Sequence, residues 1–254
     1  MPLLAISHLH RSFGGLHAVN DVSFNVDKGQ IKGLIGPNGA GKTTLFNLVS
    51  GALRADAGTI LFKNIPIQNR APHAIASHGI LRTFQNIKLF AKMNVLENVM
   101  VGMHTKSGAG MASGMLSLPH SRKEDKHIRE RSLEVLDMLG AAHLAFADSQ
   151  SLSFGQQRSV ELARALAGEP ELLLLDEPAA GLTMKETEKL GETILAIRDR
   201  GITILLVEHD MSLVMNVSDD ICVLSFGQLI AQGKPRDVQK DPEVVRVYLG
   251  DADG

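Results

Sequence analysis

The sequence predicts an α/β fold with a parallel sheet at its core, an antiparallel part near the N terminus and a helical subdomain. From residue 159 onward, helical and extended patterns alternate, as they do in parallel sheets. The continuous apolar run Leu172–Leu175 indicates a strand buried on both faces. Nearer the N terminus, apolar residues recur at period two, whereas between 97 and 150 they recur at helical spacing.

The same patterns place individual elements along the chain. Strands are indicated by period-two alternation or short apolar runs, and helices by helical spacing that ends at glycine. The predicted elements are, in chain order, a strand around Val22, Phe24 and Val26, a strand over 30–35, a helix over 44–50, a strand over 59–62, a helix over 160–167, and strands over 172–175 and 202–207.

Charge and composition exclude several classes of protein. The net charge is −2 with both signs mixed, which argues against a nucleic-acid partner. The longest apolar run of note, Ile202–Val207, is far shorter than the roughly 20 residues of a membrane span. The start lacks the basic and apolar regions of a signal peptide. The single cysteine, Cys222, lies in an apolar run and predicts a buried packing role in a reducing compartment. We therefore expect a cytoplasmic protein.

Residues 36–43 form a complete G-x-x-x-x-G-K-T motif between a predicted strand and a predicted helix. Its glycines allow backbone N–H groups to turn toward phosphate oxygens, and the following helix adds its positive end. Lys42 supplies a charge for the β- and γ-phosphates, and the Thr43 hydroxyl a ligand for Mg²⁺. This context predicts a nucleoside triphosphate site. Its residues are Gly36, Pro37, Asn38, Gly39, Ala40, Gly41, Lys42, Thr43 and Thr44.

Two acidic residues follow the predicted strand Leu172–Leu175 directly. An acid pair at a strand tip beside a phosphate loop indicates a division of labour between the two carboxylates. Asp176 is expected to help hold Mg²⁺, and Glu177 to orient and deprotonate the attacking water.

The segment Leu152–Arg158 reads Leu-Ser-Phe-Gly-Gln-Gln-Arg and lies roughly twenty residues before these acids. With this segment in place, the chain resembles the ATP-binding cassette (ABC) ATPases, whose signature here is Leu-Ser-Gly-Gly-Gln. Ser153 is expected to cap a helix whose positive end faces an anion. In the family that anion is the γ-phosphate held by another subunit, so the sites form in a head-to-tail dimer. The resemblance implies trans contacts from Ser153, Phe154, Gly155 and Gln156.

Three further positions match the family. Gln85, in Arg-Thr-Phe-Gln, resembles the residue that reaches Mg²⁺ and the attacking water in a loop that touches membrane subunits. His209 follows a predicted strand, like the switch histidine that contacts the γ-phosphate. Phe13 matches the aromatic residue that stacks on adenine. The resemblance thus implies ATP and Mg²⁺ as cofactors and hydrolysis as the reaction.

Phe154 replaces a signature glycine, and Thr183 stands where many relatives have an aspartate at the dimer interface. Both departures are familiar in the ATP-binding subunits of branched-chain (hydrophobic) amino-acid importers, which the chain also resembles around 79–86, 208–215 and 227–250. The insertion at 102–127 fits the larger of the two ATPase subunits of such a system. Its segment Ser107–Met115, rich in Gly, Ser and Met, is expected to be a loop whose task stays open.

The resemblance implies an ABC ATPase (P-loop NTPase) domain over 1–254, with a RecA-like core at about 1–96 and 159–254 and a helical subdomain at about 97–158. The expected partners are a second ATPase subunit, identical or paralogous, two transmembrane permease subunits and a substrate-binding protein outside the membrane. The chain would then be peripheral on the inner face of the cytoplasmic membrane. Alternatives are a urea, amide or lipopolysaccharide transporter subunit, or a soluble ABC ATPase without a transport role.

Overall fold

The computed structural model describes residues 1–83, 87–103 and 119–249. Two sequence-based expectations, the role of Gln85 and the loop Ser107–Met115, lie outside these residues. The chain divides into two compact units. One comprises Met1–Arg82 and the chain from Glu171 onward, and the other comprises Thr83–Pro170. In the described part of the chain, every helix is too short or too polar to cross a bilayer.

The first unit begins with a four-stranded antiparallel sheet. Its strands lie in the order β2-β1-β4-β5, and the long strands β1 and β2 pair along most of their length. The period-two pattern arises because alternate side chains of β2 enter the core, with Val22 and Val26 fully buried. The strands are β1 (Pro2–Phe13), β2 (Leu16–Asp27), β4 (Ala57–Phe62) and β5 (Ile65–Pro66).

A six-stranded sheet completes the first unit, in the order β10-β9-β3-β8-β7-β6. Only β10 is antiparallel to its neighbour; the other pairs are parallel, as predicted. The central strands β3, β7 and β8 are buried along their whole length, which explains their continuous apolar sequences. The strands are β3 (Ile31–Ile35), β6 (Ile80–Arg82), β7 (Leu172–Asp176), β8 (Thr203–Val207), β9 (Asp220–Ser225) and β10 (Gln228–Gly233).

Helices of the first unit connect the parallel strands. Helix α1 follows β3 and buries Leu45, Phe46, Leu48 and Val49 against a core that is shared with the antiparallel sheet. The helices are α1 (Lys42–Val49), α2 (Pro72–Ser77), α6 (Met184–Asp199), α7 (Met211–Val217), α8 (Pro235–Val238) and α9 (Pro242–Leu249).

The second unit is helical, and the α-helices described in it pack on one another. Its α-helices are α3 (Val95–Met100), α4 (Pro119–Met138) and α5 (Phe154–Ala167). Asn98 is fully buried at its centre, where its amide nitrogen donates to the main-chain oxygens of Phe90, Met93 and Asn94. Because the Asn98 side-chain oxygen also accepts from the Phe90 N–H, this one amide fixes the segment that leads into α3.

The predicted fold class is confirmed, while several element boundaries differ. Helix α1 begins at Lys42, two residues before the predicted start. Helix α5 begins at Phe154, directly after the predicted cap Ser153, whereas apolar spacing alone placed its start at Val160. In both cases the first turn is polar or glycine-rich, so apolar spacing does not reveal it. The second unit covers Thr83–Pro170, which is wider than the expected 97–158. The whole of α5 belongs to it because this helix packs on α3 and α4.

A buried ion pair joins two strands of the parallel sheet. Lys32 on β3 is only 2% exposed and pairs with Asp220, the residue opposite it on β9. Asp220 also accepts a hydrogen bond of 3.2 Å from the Gln232 amide of β10. Beside this pair, burial raises the pKa of the Cys222 thiol to about 12, so the predicted packing role of Cys222 is confirmed.

We expect Asp220→Ala to lower the free energy of unfolding by about 3–5 kcal/mol, because the Lys32 charge stays buried without its partner. The double variant Lys32→Met/Asp220→Ala should recover most of that loss. Urea denaturation measures both. Asp199→Ala, which breaks the exposed pair with Arg198, is the control and should cost less than about 1 kcal/mol. Equal losses in Asp220→Ala and the double variant would contradict the prediction.

Candidate nucleotide site

The G-x-x-x-x-G-K-T segment forms a tight loop between the end of β3 and the start of α1, as its sequence predicts. Gly36 adopts a φ of 149°, and a Cβ atom there would lie 2.1 Å from the main-chain oxygen of Leu224. Only glycine fits at this position, because the loop passes directly against strand β9. The loop is therefore held in place by the sheet as well as by its own hydrogen bonds.

Lys42 is buried at the first turn of α1, with 6% of its surface exposed. Its ammonium group donates to the main-chain oxygens of Gly36 at 2.6 Å and Pro37 at 2.9 Å. Burial lowers the pKa of Lys42, and the nearby Glu177 carboxylate acts in the opposite direction. The amine is thus held inside the curve of the loop, where an anion would be bound.

A cavity of about 370 Å³ opens in front of the loop. Among the sequence-predicted residues, the cavity brings together the second part of the loop, the two proposed catalytic residues and the predicted stacking residue. These are Asn38, Gly39, Ala40, Gly41, Lys42, Thr43, Thr44, Glu177, His209 and Phe13. Leu16, His17, Ala18 and Phe226 complete the wall. Gly36, Pro37 and Asp176 are not among the residues that line the cavity.

Glu177 and His209 meet on the wall of this cavity although they are 32 positions apart in the chain. Glu177 follows β7 and His209 follows β8, and these strands are parallel neighbours. The His209 Nε2 atom lies 2.9 Å from a carboxylate oxygen of Glu177. Glu177 has a φ of 48°, and its N–H donates to the main-chain oxygen of Val207 at 2.8 Å. Such a conformation is costly for a non-glycine residue and is found preferentially at functional sites.

Asp176 is buried at the end of β7, with 3% of its surface exposed. Its carboxylate accepts from the Arg82 guanidinium at 2.6 Å. The other terminal Arg82 nitrogen donates to Asn47 on α1 at 2.7 Å and to Ser50, directly after α1, at 3.1 Å. Arg82 therefore ties β6, β7 and α1 together beneath the site. Its position in a short strand gave no sign of this role in the sequence.

Glu208 is a second buried acid that the sequence analysis did not single out. It is 3% exposed and accepts hydrogen bonds from the N–H groups of Ala179 at 2.6 Å, His209 at 2.8 Å and Asp210 at 3.3 Å. Burial raises its pKa, and these three hydrogen bonds partly oppose that shift. Glu208 thus connects the loop after β7 with the loop after β8. An acid directly after a buried strand is the signal that would have indicated it.

Phe13 also lines the cavity; it stands at the end of β1 and is 43% exposed. The Arg11 guanidinium lies over its ring, 4.7 Å from the centroid. One face of the ring is therefore covered by a cation. Burial raises the pKa of Tyr248 on the C-terminal helix, and the Gly36 backbone partly opposes that shift.

The signature segment belongs to the second unit. Ser153 caps helix α5 through a reciprocal capping box with Gln156, so the predicted cap is confirmed. Phe154 is 47% exposed, and the Arg158 guanidinium lies 5.7 Å from its ring centroid. Gly155 and Gln156 follow in the first turn of the helix. The N-terminal end of α5 therefore carries an exposed aromatic ring where the family signature has glycine.

Thr183 has a local structural role. It caps helix α6 in a capping box with Glu186, whose carboxylate accepts from both the N–H and the hydroxyl of Thr183 at 2.8 Å. These two hydrogen bonds lower the pKa of Glu186. A neutral hydroxyl at this position thus starts the helix as an aspartate would.

Comparison with known proteins agrees with this geometry. Residues 19–180 match the family described as ABC transporter, and residues 228–254 match the branched-chain amino acid ATP-binding cassette transporter family. Over 252 residues the chain is 43% identical to the high-affinity branched-chain amino acid transport ATP-binding protein LivG of Salmonella typhimurium, with 99% of each chain covered.

Solved structures agree as well. The ADP conformation of an ATP-binding cassette of an ABC transporter superimposes with a TM-score of 0.86 at 35% identity, covering 98% of this chain and 99% of that one. A dimeric cassette in a post-hydrolysis state, bound to ADP and Pi, gives a TM-score of 0.76 at 26% identity, covering 92% and 99%. This chain therefore belongs to the ABC transporter family, as an ATP-binding cassette of the LivG type.

Proposed function

We propose that this chain is the ATP-hydrolysing subunit of an importer that carries branched-chain amino acids across the cytoplasmic membrane. The observation that carries the enzymatic part is the Glu177–His209 pair on the cavity wall formed by the phosphate loop. The cargo is proposed from the similarity to LivG, which extends over 99% of both chains. ABC cassettes of this kind act in transporter complexes and dimerise.

Nucleotide binding is assigned to the loop and to Phe13. The N–H groups of residues 38–44 and the start of α1 would surround the phosphates, and the Lys42 ammonium would exchange its carbonyl partners for phosphate oxygens. Phe13 would stack on the adenine base with the ring face opposite Arg11. With the base on Phe13, these contacts would place the γ-phosphate near Glu177, which lines the same cavity.

Glu177 is the proposed general base, and His209 is the group that orients it. The carboxylate would accept a proton from the water that attacks the γ-phosphate. With the Glu177 oxygen 2.9 Å away, His209 Nε2 can hold the carboxylate in one orientation. His209 is 47% exposed at its side chain against 15% for Glu177, so it can also contact the γ-phosphate directly. Both roles require the loops after β7 and β8 to hold Glu177 and His209 within hydrogen-bond distance of each other.

The donor chemistry near the loop suits Mg²⁺, which prefers hydroxyl and carboxylate oxygens. Thr43 and Asp176 would hold the ion, and Gln85 is proposed as a further ligand. The Asp176 carboxylate is buried at the end of β7, where it is paired with Arg82. When bound, the ion would neutralise charge on the β- and γ-phosphate oxygens.

The second half of each site is proposed to come from a partner cassette. Ser153, Phe154, Gly155 and Gln156 stand at the N-terminal end of α5, where backbone N–H groups and the helix dipole favour an anion. In a head-to-tail dimer they would face the γ-phosphate held by the other subunit. The partner is a second copy or a paralogous ATPase. Two permease subunits and an external binding protein would complete the importer on the inner face of the membrane.

Glu177→Gln should bind ATP as the wild type does but hydrolyse it about 10²- to 10⁴-fold more slowly, because the amide cannot accept the proton. Steady-state phosphate release and an equilibrium binding assay measure the two effects. Glu188→Gln, an exposed acid-to-amide change on α6, is the matched control and should keep wild-type ATP binding and hydrolysis. Lys42→Ala should fail at binding. Hydrolysis at the wild-type rate in Glu177→Gln would remove Glu177 as the base.

Glu208→Gln tests the buried acid that joins the two catalytic loops. Because burial raises the pKa of Glu208 in the folded chain, folding binds extra protons between the ordinary pKa of 4.5 and the raised value. The ionised group therefore lowers wild-type stability as pH rises through that window. Denaturant unfolding at several pH values should show the variant gaining stability relative to wild type as pH rises. A difference of the opposite slope would contradict the assigned direction.

Uptake of labelled leucine tests the proposed cargo. Cells that lack the chain should regain leucine uptake when it is supplied, but not when Glu177→Gln is supplied. Uptake of a sugar by an unrelated route is the control and should not change. Detergent capture of the complex should bring down two polytopic membrane proteins and an ATPase partner. Restored urea or amide uptake without leucine uptake would favour the other transporter classes, and soluble partners alone would favour a non-transport ATPase.

A further inference from the structure

The turn between β9 and β10 carries an aromatic residue that neither packing nor backbone preference explains. Phe226 has a φ of 45° and Gly227 a φ of 79°, so both central residues are left-handed. Hairpin turns of this type strongly favour Asn-Gly, and a bulky residue at the first position is strained. The Phe226 side chain is 89% exposed. Its presence therefore costs conformational energy without contributing to the core.

This turn is held firmly against the phosphate loop. The Gly227 N–H donates to the main-chain oxygen of Ala40 at 3.0 Å, and the Gly227 oxygen accepts from the Asn20 N–H at 2.8 Å. Phe226 therefore directly precedes Gly227, which is hydrogen-bonded to the phosphate loop. Its position relative to the nucleotide cavity is set by backbone hydrogen bonds on both sides.

Phe226 lines the same cavity as Lys42 and Phe13. Three exposed apolar side chains stand on this wall, Phe13 at 43%, Leu16 at 68% and Phe226 at 89%. The phosphate loop supplies the polar part of the same wall. A nucleotide has the same division, with charged phosphates at one end and a flat base with apolar faces at the other.

We propose that Phe226 is a second base-contacting residue, which covers the part of the adenine that Phe13 leaves exposed. Arg11 occupies one face of the Phe13 ring, so a base can stack only on the opposite face. The outer face of that base would then meet solvent unless another apolar group covers it. Phe226 supplies such a group, and its strained turn is the cost of placing it there. This inference rests on the proposed nucleotide site and adds a determinant of base affinity to it.

Phe226→Asn is expected to keep or raise stability but to weaken base binding, so the two effects can be told apart. Asparagine suits the turn, so the unfolding temperature without nucleotide should stay the same or rise. ADP affinity should fall about 5- to 100-fold, the range for one lost base contact. Inorganic tripolyphosphate, which has no base, should bind as tightly as it does to wild type. Titration calorimetry measures both ligands.

Two further variants complete the design. Phe226→Leu keeps an apolar side chain without the ring and should give an intermediate ADP affinity. Phe146→Asn removes another exposed phenylalanine, 70% exposed in the second unit, and should leave both ligands unaffected. Unchanged ADP affinity in Phe226→Asn would overturn the proposal. Equal weakening of ADP and tripolyphosphate would overturn it too, since the turn would then act only through the loop. Failure of the wild type to bind ADP would instead remove the proposed function.

Discussion

Parallel pairing of β3, β8 and β7 is the constraint on which the nucleotide site depends. Parallel strands end at the same edge of a sheet, so the loops that follow these three strands all begin along that edge. The phosphate loop leaves β3, Glu177 leaves β7 and His209 leaves β8. Residues far apart in sequence thereby meet around one cavity of about 370 Å³.

The charged residues at this edge divide into buried and accessible groups. Asp176 and Glu208 are each 3% exposed, and each accepts hydrogen bonds that fix a strand or a loop. Glu177 and His209 are the accessible pair in front of them. The buried acids are costly to desolvate, and that cost is offset only when every partner is in place. Loss of either acid would therefore change the positions of the catalytic groups before it changed their chemistry.

Local patterns account for much of what the sequence predicted. Apolar runs located the buried strands β7 and β8, and the Ser153 cap was evident because a capping serine sits before an apolar helix. Apolar spacing alone placed helix starts too late where the first turn is polar or glycine-rich, as at Lys42 and Phe154. Apolar periodicity reports only the face that enters the core, so it cannot report a turn that faces the site. The roles of Gln85 and Thr43 toward Mg²⁺ stay predictions.

The sequence by itself determined the phosphate loop, the acid pair after β7, the histidine after β8 and the α/β class, because each depends on residue type and short spacing. Only the tertiary structure decided which groups support them. The hydrogen bonds from Arg82 to Asp176 and from the Ala179 N–H to Glu208 join segments that are distant in the chain. The place of Phe226 beside the loop likewise follows from the return of β10 along β9. Contacts of this kind depend on the order of the strands in the sheet, and a short segment of sequence does not predict that order.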